Sequence, residues 1–344
     1  MLRAKSNQLS FYGNHIYDRV IPETHFLKLL DKVIDFSFVN ELCRDAYTPD
    51  FGRPAYEPEM MFKILFLQFL YDISDRRIEE EVNFNLVLKW FVGLAIDESP
   101  PDSSSLTRFR DRLGEKRFAH IFNQIVELAR EKGLISDRLS IVDSTHVKAK
   151  VDTFKIKDNP AASPDKDARY GYKTRKKPFF GYKAHASMDS DSELITKLET
   201  TPGNANDGKE FPKVVDSKSK MTTADKAYDS KRNHRLLKRK RITSAIIIKR
   251  NRRSRHLKKH QMKPEIIAAR GERPKIERKF AELKRFHGLK EARYWGLAKV
   301  AIQVTLIAIT CNLKRMVKLL FQSVRPSGSA LKIFHQGVTV PSLG

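Results

Sequence analysis

The hydrophobic pattern of the first part of the chain is typical of amphipathic helices. Between residues 23 and 95, apolar side chains recur at every third or fourth position. Two of the runs, PETHFLKLLDKVIDF and PEMMFKILFLQFLYDI, begin with Pro-Glu, a favourable first helical turn. After a Pro-rich break at residues 97–105 the helical spacing returns, and Gly114 and Gly133 stand at the expected ends of two more helices. The pattern predicts an all-α N-terminal domain over residues 1–135.

The second part of the chain alternates between strand-like and helix-like segments. The stretch LSIVDSTHVKAK has the apolar run of a buried strand, and FFGYKAHASMDSDS with ELITKLETTP indicates a hairpin that turns at residues 189–192. MTTADKAY and ITSAIIIK indicate two further strands, and helices separate and follow them. We therefore expect an α/β domain over residues 136–322, with a mixed five-stranded sheet flanked by helices. Residues 323–344, which include Pro326 and Gly328, are expected to form a loose tail.

The chain is strongly basic, and its charge is unevenly distributed. The formal net charge is +25, with 66 Lys and Arg against 41 Asp and Glu. The first 100 residues hold 11 basic and 16 acidic residues, so the net charge is −5 there and +30 in the rest. Such an excess indicates a polyanionic partner, which we interpret as nucleic acid. An anionic membrane is the alternative, but the sequence lacks the long basic amphipathic helix with an aromatic face that this would require.

Other classes of protein find little support in the sequence. The two cysteines, Cys43 and Cys311, are too few for a disulfide framework or a cysteine-rich zinc site, and they favour a reduced, cytoplasmic compartment. The N-terminal residues lack the apolar region of a secretory signal. The apolar segment 300–313 is shorter than the roughly 20 residues that cross a bilayer, so we expect a core helix there.

Three acidic residues occupy positions where an active site can form. Asp143 and Asp225 each end an apolar strand, and Glu277 lies in the first turn of the helix that follows the last strand. Individually, such residues usually serve as turn, cap or helix-dipole residues. Together they can converge on one face of the sheet, where clustered carboxylates need cations to offset their repulsion. Carboxylate oxygens suit Mg²⁺ or Mn²⁺, and pairs of such ions catalyse phosphodiester chemistry.

The candidate DNA contacts lie in and before the helix that carries Glu277. In PKIERKFAELKRF, Ile276, Phe280 and Leu283 have the spacing of a buried stripe, which leaves Glu277 on another face. Residues 231–263 contain 15 Lys or Arg and no acidic residue, which favours phosphate contact over a solvated surface of mixed sign. The expected DNA-binding residues are Arg273, Arg278, Lys284, Lys226, Lys249, Arg250, Arg252, Arg253 and Lys148.

Two segments are open to two interpretations each. Residues 152–178, rich in Lys, Asp and Pro, form either an ordered loop that faces DNA or a flexible excursion. Residues 103–117, SSSLTRFRDRLGEKR, have the capped start and the arginines of a recognition helix. The acidic balance of the first 100 residues argues equally for dimer contact or for packing onto the α/β domain.

The sequence resembles bacterial insertion-sequence transposases of the DDE type in three stretches: IVDSTHVKA, ADKAYDS after TPGNANDGKEF, and RPKIERKFAELKRFHGLKEARYWG. In the last stretch, Arg273, Glu277 and Lys284 match the family signature Y-x2-R-x3-E-x6-K, whereas Arg270 stands at the Tyr position. The DNA contact of that Tyr is therefore not carried over. The helical segments YEPEMMFKILFLQFLYDIS, LVLKWFVGL and DSSSLTRFRDRL resemble the insertion-sequence-5-like branch, so the resemblance covers residues 15–322.

The resemblance implies a ribonuclease-H-like catalytic domain in which Asp143, Asp225 and Glu277 bind two divalent metal ions, Mg²⁺ or Mn²⁺. The implied reaction is hydrolytic nicking at terminal inverted repeats, followed by attack of the freed 3′-hydroxyl on target DNA, with no organic cofactor. The resemblance also implies a homodimer on double-stranded DNA at the bacterial nucleoid. The N-terminal domain would then bind the DNA end, contribute to the dimer, or do both.

Two other functions are compatible with these residues. A ribonuclease-H-like nuclease that only hydrolyses DNA would share the same site. A non-catalytic DNA-binding protein derived from a transposase, or a transcription factor built on its helices, is disfavoured because all three acidic residues are present.

Overall fold

The computed structural model describes residues 11–48, 54–157, 159–174, 177–251 and 254–321. Among the predicted features, Arg252, Arg253 and the tail at residues 323–344 lie outside the described residues.

The N-terminal part is helical, as predicted. Its helices are α1 (Phe11–Val20), α2 (Phe26–Val33), α3 (Phe38–Cys43), α4 (Pro58–Leu70), α5 (Asp75–Phe84), α6 (Leu86–Val92) and α7 (Ser103–Glu131).

Local sequence signals explain where most of these helices begin and end. Helix α4 begins at Pro58, as its Pro-Glu start predicts. Gly114 interrupts α7 with a positive φ of 65°, which separates two helical segments as predicted. The expected start at Pro22 is wrong, because α2 begins at Phe26 after His25, whose ring accepts a hydrogen bond from the backbone N–H of Leu27.

One mixed sheet forms the centre of the second part. Its strands are β1 (Leu139–Lys148), β2 (Arg169–Thr174), β3 (Lys177–Asp189), β4 (Ile195–Pro202), β5 (Met221–Ala224) and β6 (Thr243–Ser244). β3 pairs antiparallel with β1 on one side and with β2 and β4 on the other. β5 pairs parallel with both β1 and β6. The predicted hairpin is confirmed, because β3 and β4 are antiparallel neighbours that turn after Asp189.

The sheet has six strands where the sequence predicted five. The additional strand β2 lies within the segment 152–178, so part of that segment is ordered sheet. Its backbone pairs with β3, and the ring of Tyr170 packs on Phe180 with centroids 5.0 Å apart. Backbone pairing with β3 and this ring contact hold β2 in place. The strand therefore forms without the apolar run that would have predicted it.

β6 is shorter than the predicted strand ITSAIIIK. The regular strand covers only Thr243–Ser244. The chain nevertheless continues beside β5, because the N–H groups of Ala245 and Ile247 donate to the carbonyls of Thr222 and Ala224 at 2.8 and 3.0 Å.

Helices cover both faces of the sheet. They are α8 (Asp207–Val214), α9 (Lys231–Arg239), α10 (Arg255–Gln261), α11 (Pro264–Gly271), α12 (Pro274–Phe286) and α13 (Leu297–Phe321). The short helices α10 and α11 were not predicted, since α10 is polar and highly charged and each spans only about two turns.

Alternation along β1 assigns the helices to the two faces. Val142 packs with Phe211 of α8 and Leu237 of α9, whereas Ile141 belongs to the core that contains α12 and α13. Successive residues of a strand point to opposite faces. Asp143 therefore points to the same face as Ile141, towards α12.

The core on the Ile141 face continues into the N-terminal helices. Phe66 of α4, Phe122 of α7 and Ile307 of α13 belong to one buried cluster with Ile141. Hydrophobic contacts therefore join the two parts of the chain across the predicted domain boundary at residues 135 and 136. The boundary itself stays a prediction.

Helix α13 is the centre of this shared core. Among the described residues it is the one helix long and apolar enough to cross a membrane, and 67% of its most apolar window is buried inside the protein. Its buried side chains include Ile307 and Leu313, so the helix packs as the core element that the sequence predicted.

Gly181 provides a test of the sheet geometry around the end of β1. It pairs with Lys148 and has a φ of +151°. A Cβ at this position would overlap the carbonyl oxygen of Val147 and come within 2.6 Å of the N atom of Ala149. We expect Gly181→Ala to lower the free energy of unfolding by at least about 1–3 kcal/mol, measured by urea denaturation.

Gly271→Ala is the matched control for Gly181→Ala. An added Cβ at Gly271 has no neighbour within 4 Å, and this helical position favours Ala. Equal stabilities of the two variants would contradict the described packing.

Candidate active site

The pairing of β1 with β5 places two carboxylates side by side. In this parallel register Val142 lies opposite Ala224, and the next residue on each strand is an aspartate, Asp143 and Asp225. Neighbouring strands lie about 4.8 Å apart, so the two side chains are neighbours at the edge of the sheet where β5 ends. Asp225 directly follows β5, as predicted, but the prediction that Asp143 ends its strand is wrong, because β1 continues to Lys148 through its pairing with β3. The register adds that the two strands are adjacent.

Helix α12 brings the third acid to this edge. It begins at Pro274, and Ile276, Phe280 and Leu283 are buried, so the predicted stripe is confirmed. Glu277, in the first turn, remains exposed. The charges of Asp225 and Glu277 both raise the pKa of Asp143, which shows that the three carboxylates share one electrostatic environment.

Asp143 is the most strongly perturbed of the three acids. Its pKa is raised to about 6, mainly because burial removes water from the carboxylate and further because Asp225 and Glu277 repel its charge. The backbone N–H of Ser144, 2.8 Å from Oδ1 of Asp143, and the guanidinium of Arg273 act in the opposite direction. A further cation beside Asp143 would stabilise the ionised form of its carboxylate.

Arg273 is the cation nearest to this group of acids. Its Nη1 lies 3.8 Å from Oδ1 of Asp225, and its side chain is 16% exposed. Its Nε is buried and has no hydrogen-bond partner among the described residues. Within the protein, Arg273 therefore faces the carboxylates, and its predicted contact with DNA stays a prediction.

Contacts that the sequence did not reveal fix the start of α12. Arg138, at the foot of β1, donates to Glu272 at 3.0 Å, and Lys275 donates to the carbonyl of Ser190 in the β3–β4 turn at 2.8 Å. Lys279 is buried between α12 and α13, where its Nζ donates to Glu282 at 2.8 Å. These contacts hold the first turn, and hence Glu277, against the sheet. Arg138 and Glu272 are 134 residues apart in the chain, and Lys275 and Ser190 are 85 apart, so no local sequence pattern indicated these two contacts.

The donor atoms of the site suit a divalent cation, although the ligands are not gathered around one point. Among the described residues, no group of three His, Cys, Asp or Glu side chains is close enough to hold a metal ion. Carboxylates without a cation between them repel one another, which accounts for an open arrangement. An all-oxygen donor set matches Mg²⁺ or Mn²⁺ and does not match a metal that prefers sulfur or imidazole.

The predicted DNA-binding residues differ in their distance from the acids. Lys226 directly follows Asp225, Arg278 directly follows Glu277, and both side chains are exposed. Lys148 is exposed at the far end of β1, five residues or about 16 Å along the strand from Asp143.

The remaining candidates lie further from the acids in the chain. Lys249 and Arg250 are exposed after β6, and Lys284 is half-buried on α12, two turns after Glu277. Lys226 and Arg278 directly follow an acid in the chain, and Nη1 of Arg273 lies 3.8 Å from Oδ1 of Asp225.

Tyr228 lies near Asp143 but was not predicted from the sequence. Its side chain belongs to the core on the α8 face of the sheet, whereas the acids point to the α12 face. It is buried, and its ring packs on Phe211 with centroids 5.6 Å apart. Its pKa is raised well above the ordinary value, first by burial and then by the charge of Asp143. Its position three residues after Asp225 is the sequence feature that could have indicated its place near the acids.

Two protein-family models match this chain. The model described as Transposase DDE domain matches residues 135–313, and the model described as Transposase domain (DUF772) matches residues 15–112. The chain therefore belongs to the DDE transposase family, and it is a DNA transposase. The predicted family and function are confirmed, while the assignment to the insertion-sequence-5-like branch stays a prediction.

A solved structure was also found to be similar. The cryo-EM structure of a piggyBac transposase synaptic complex with hairpin DNA shares 12% identity with this chain at a TM-score of 0.36. The match covers 92% of this chain and 82% of that chain.

The family membership agrees with the architecture. A helical N-terminal part precedes a sheet in which the central strand β1 has an antiparallel neighbour on one side and a parallel neighbour on the other. The predicted combination of a helical region and a ribonuclease-H-like fold is confirmed. DDE transposases typically use divalent metal ions, which fits the oxygen donors of this site.

The raised pKa of Asp143 predicts how stability depends on pH without metal. The pKa of Asp143 is near its ordinary value of 3.8 in the unfolded chain and about 6 in the folded protein. The folded state therefore favours the protonated acid, and this contribution to stability is lost as the pH rises through about 6. In EDTA, we expect Asp143→Asn to raise the melting temperature relative to the unmodified protein at pH 8, with the difference vanishing towards pH 4.

Melting curves across this pH range, recorded by circular dichroism, provide the measurement. A difference in melting temperature that stays constant with pH would show that Asp143 is not the titrating group.

Proposed function

We propose that Asp143, Asp225 and Glu277 are the metal ligands of this transposase, and that it nicks DNA at the ends of its element and joins them to target DNA. The observation that carries this proposal is the β1–β5 register, which puts Asp143, in the middle of β1, beside Asp225 at the end of β5. The influence of Glu277 on the pKa of Asp143 adds the third acid to the same site.

The proposed reaction has two phosphodiester steps. In the first, water attacks a phosphorus atom at the end of the terminal repeat, and the P–O3′ bond breaks to leave a 3′-hydroxyl and a 5′-phosphate. In the second, that 3′-hydroxyl attacks a phosphodiester of target DNA, forms a new P–O bond and releases a target 3′-hydroxyl. Two bound Mg²⁺ or Mn²⁺ ions would supply activation of the attacking oxygen and stabilisation of the leaving oxygen.

The residues of this chain contribute binding and charge. Asp143 has to be ionised to act as a ligand, and the guanidinium of Arg273 favours its ionised state. Ser144 fixes one oxygen of Asp143 through its N–H. Exposed Lys226 and Arg278, directly next to the acids in sequence, are placed to bind the phosphates that flank the reacting one.

The wider assembly follows from the same chemistry. Two ends and two active sites favour a homodimer on double-stranded DNA, and we place the protein at the bacterial nucleoid. The excess of 25 positive charges supports a polyanionic partner of this kind.

Replacement of the acids tests the proposal. Purified protein is incubated with Mg²⁺ or Mn²⁺ and a linear DNA that carries the terminal inverted repeats of its element. We expect Asp143→Ala, Asp225→Ala and Glu277→Ala each to abolish nicking and strand transfer, because each removes a ligand, while DNA binding measured in EDTA is retained. Glu265→Ala, which removes an exposed acid on α11, is the control and should cleave normally.

The same assay separates the alternative functions. Cleavage anywhere in the DNA without joining would favour a nuclease, and binding without cleavage would favour a non-catalytic DNA-binding protein. Normal cleavage by one of the three variants would remove that residue from the proposed ligand set.

Arg278 tests the proposed phosphate contacts near the acids. Loss of one phosphate contact should make the slope of log Kobs against log salt shallower by about 0.9. We expect Arg278→Ala to show this change in a fluorescence-anisotropy titration of a terminal-repeat duplex. Arg77→Ala on α5, where Arg77 pairs with Glu81 at 2.7 Å, is the control and should leave the slope unchanged.

A further inference from the structure

Helix α9 presents an unusual concentration of unpaired positive charge. Seven of its residues and those that directly follow it are exposed cations, which we call the α9 surface: Lys231, Arg232, Arg235, Lys238, Arg239, Lys240 and Arg241. None of these side chains pairs with a carboxylate among the described residues. Elsewhere, exposed cations commonly have such partners, for example Lys213 with Glu199 at 2.8 Å and Lys218 with Glu127.

Buried contacts fix the direction in which these cations point. Leu237 packs into the core of the α8 face, and the buried Asn233 donates from Nδ2 to the carbonyls of Gly208 and Tyr228, both at 2.9 Å. The ring of His234, the next residue, makes two hydrogen bonds. One is with the buried carboxylate of Asp229 at 2.9 Å, and the other is with the hydroxyl of Ser244 at 3.0 Å. The packing of Leu237 and the four hydrogen bonds of Asn233 and His234 therefore fix the inner side of α9, and the cations are directed outwards.

The α9 surface and the acids lie on opposite faces of the sheet. Leu237 of α9 packs in one cluster with Val142, whereas Asp143, the next residue of β1, points to the α12 face. The sheet and a helix of about 10–12 Å diameter thus separate the outer cations of α9 from the acids. A straight DNA segment whose phosphodiester lies at the acids does not also run along α9.

The spacing of the cations matches a DNA backbone. Lys231 and Lys238 lie on one side of the helix, about 10 Å apart along its axis at 1.5 Å per residue. One DNA strand presents a phosphate every 3.4 Å of duplex axis, so about three phosphates fit this length. Arginines such as Arg232, Arg235 and Arg239 can bind phosphate oxygens through two N–H groups each.

We propose that the α9 surface binds a second segment of duplex DNA, separate from the segment that enters the active site. This inference rests on the proposed function, because it takes the acids as the place of the reacting phosphate. We assign this second segment to target DNA, because a separate duplex can reach the face of the sheet opposite the acids without bending. The flank of the same end, bent around the β6 edge, presents the same phosphate backbone and is the alternative that the test separates.

The test uses the full chain with Arg232→Ala, Arg235→Ala and Arg239→Ala combined. The matched control removes three exposed arginines from α1 and α5: Arg19→Ala, Arg76→Ala and Arg77→Ala. Circular dichroism melting first verifies that both variants are folded. In EDTA, with a random 30-base-pair duplex, we expect the α9 variant to bind at least about tenfold more weakly at 0.1 M salt, with a salt slope shallower by about 2.7. The control should retain both values.

A second measurement locates the lost segment. With metal and a short terminal-repeat duplex, the α9 variant should nick at the normal rate but transfer strands to a separate target at least tenfold more slowly. If target DNA is the source, unmodified protein should bind two short duplexes per protomer and the α9 variant one. If the bent flank is the source, the stoichiometry stays at one, and the variant loses affinity only for a terminal duplex with a long flank.

Other outcomes overturn the proposal. Equal losses of nicking and joining would indicate a single DNA path, and unchanged DNA binding would remove α9 from the interface. Loss of binding to vesicles that contain anionic lipid, with DNA binding intact, would assign the surface to a membrane. If unmodified protein fails to nick, the proposed catalysis fails, while the EDTA titration still decides whether α9 binds DNA.

Discussion

The parallel pairing of β1 with β5 is the constraint on which the active site depends. It aligns Val142 with Ala224 and therefore sets Asp143 beside Asp225. This placement is electrostatically unfavourable in the free protein, since burial and neighbouring charge raise the pKa of Asp143 to about 6. The rest of the structure compensates for it: Arg273 stands beside Asp225, and Ser144 donates its N–H to Asp143. A divalent cation bound among the acids would relieve the remaining repulsion.

Helix α12 has to be held firmly for the third acid to take part. Its apolar stripe packs towards β1 and α13, while Arg138 and Lys275 connect its start to the strand and turn beneath it. Buried Lys279 pairs with Glu282 one turn further along the same helix, which offsets the cost of burying its charge against α13. Glu277 is thus positioned by residues that themselves do no chemistry. In the proposed site, α12 is the element that supplies the third acid.

Charge is distributed in the structure according to what each surface contacts. In the N-terminal helices, cations such as Arg77 and Lys63 pair with nearby acids, which is consistent with packing against the shared core. In α9 the cations have no such partners among the described residues, and hydrogen bonds on the inner side of the helix turn them towards solvent. A protein with a net charge of +25 therefore combines a group of neighbouring acids with outward-facing cations. The proposed metal-dependent reaction on DNA requires both, because carboxylates can bind metal ions and exposed lysines and arginines can bind phosphate.

The sequence by itself determined the helical N-terminal part, the β3–β4 hairpin, the buried stripe of α12 and the three candidate acids, because periodicity and strand-end polarity are local properties. It did not reveal β2 or the shortness of β6, since these depend on backbone pairing with strands that are distant in sequence. The predicted DNA contact of Arg273 stays a prediction, and the tertiary structure adds that its guanidinium lies beside Asp225. Only the tertiary structure decided that Asp143 lies beside the end of β5, that α9 and the acids lie on opposite faces, and that one core joins both parts. Each of these depends on contacts between residues far apart in the chain, which no local pattern specifies.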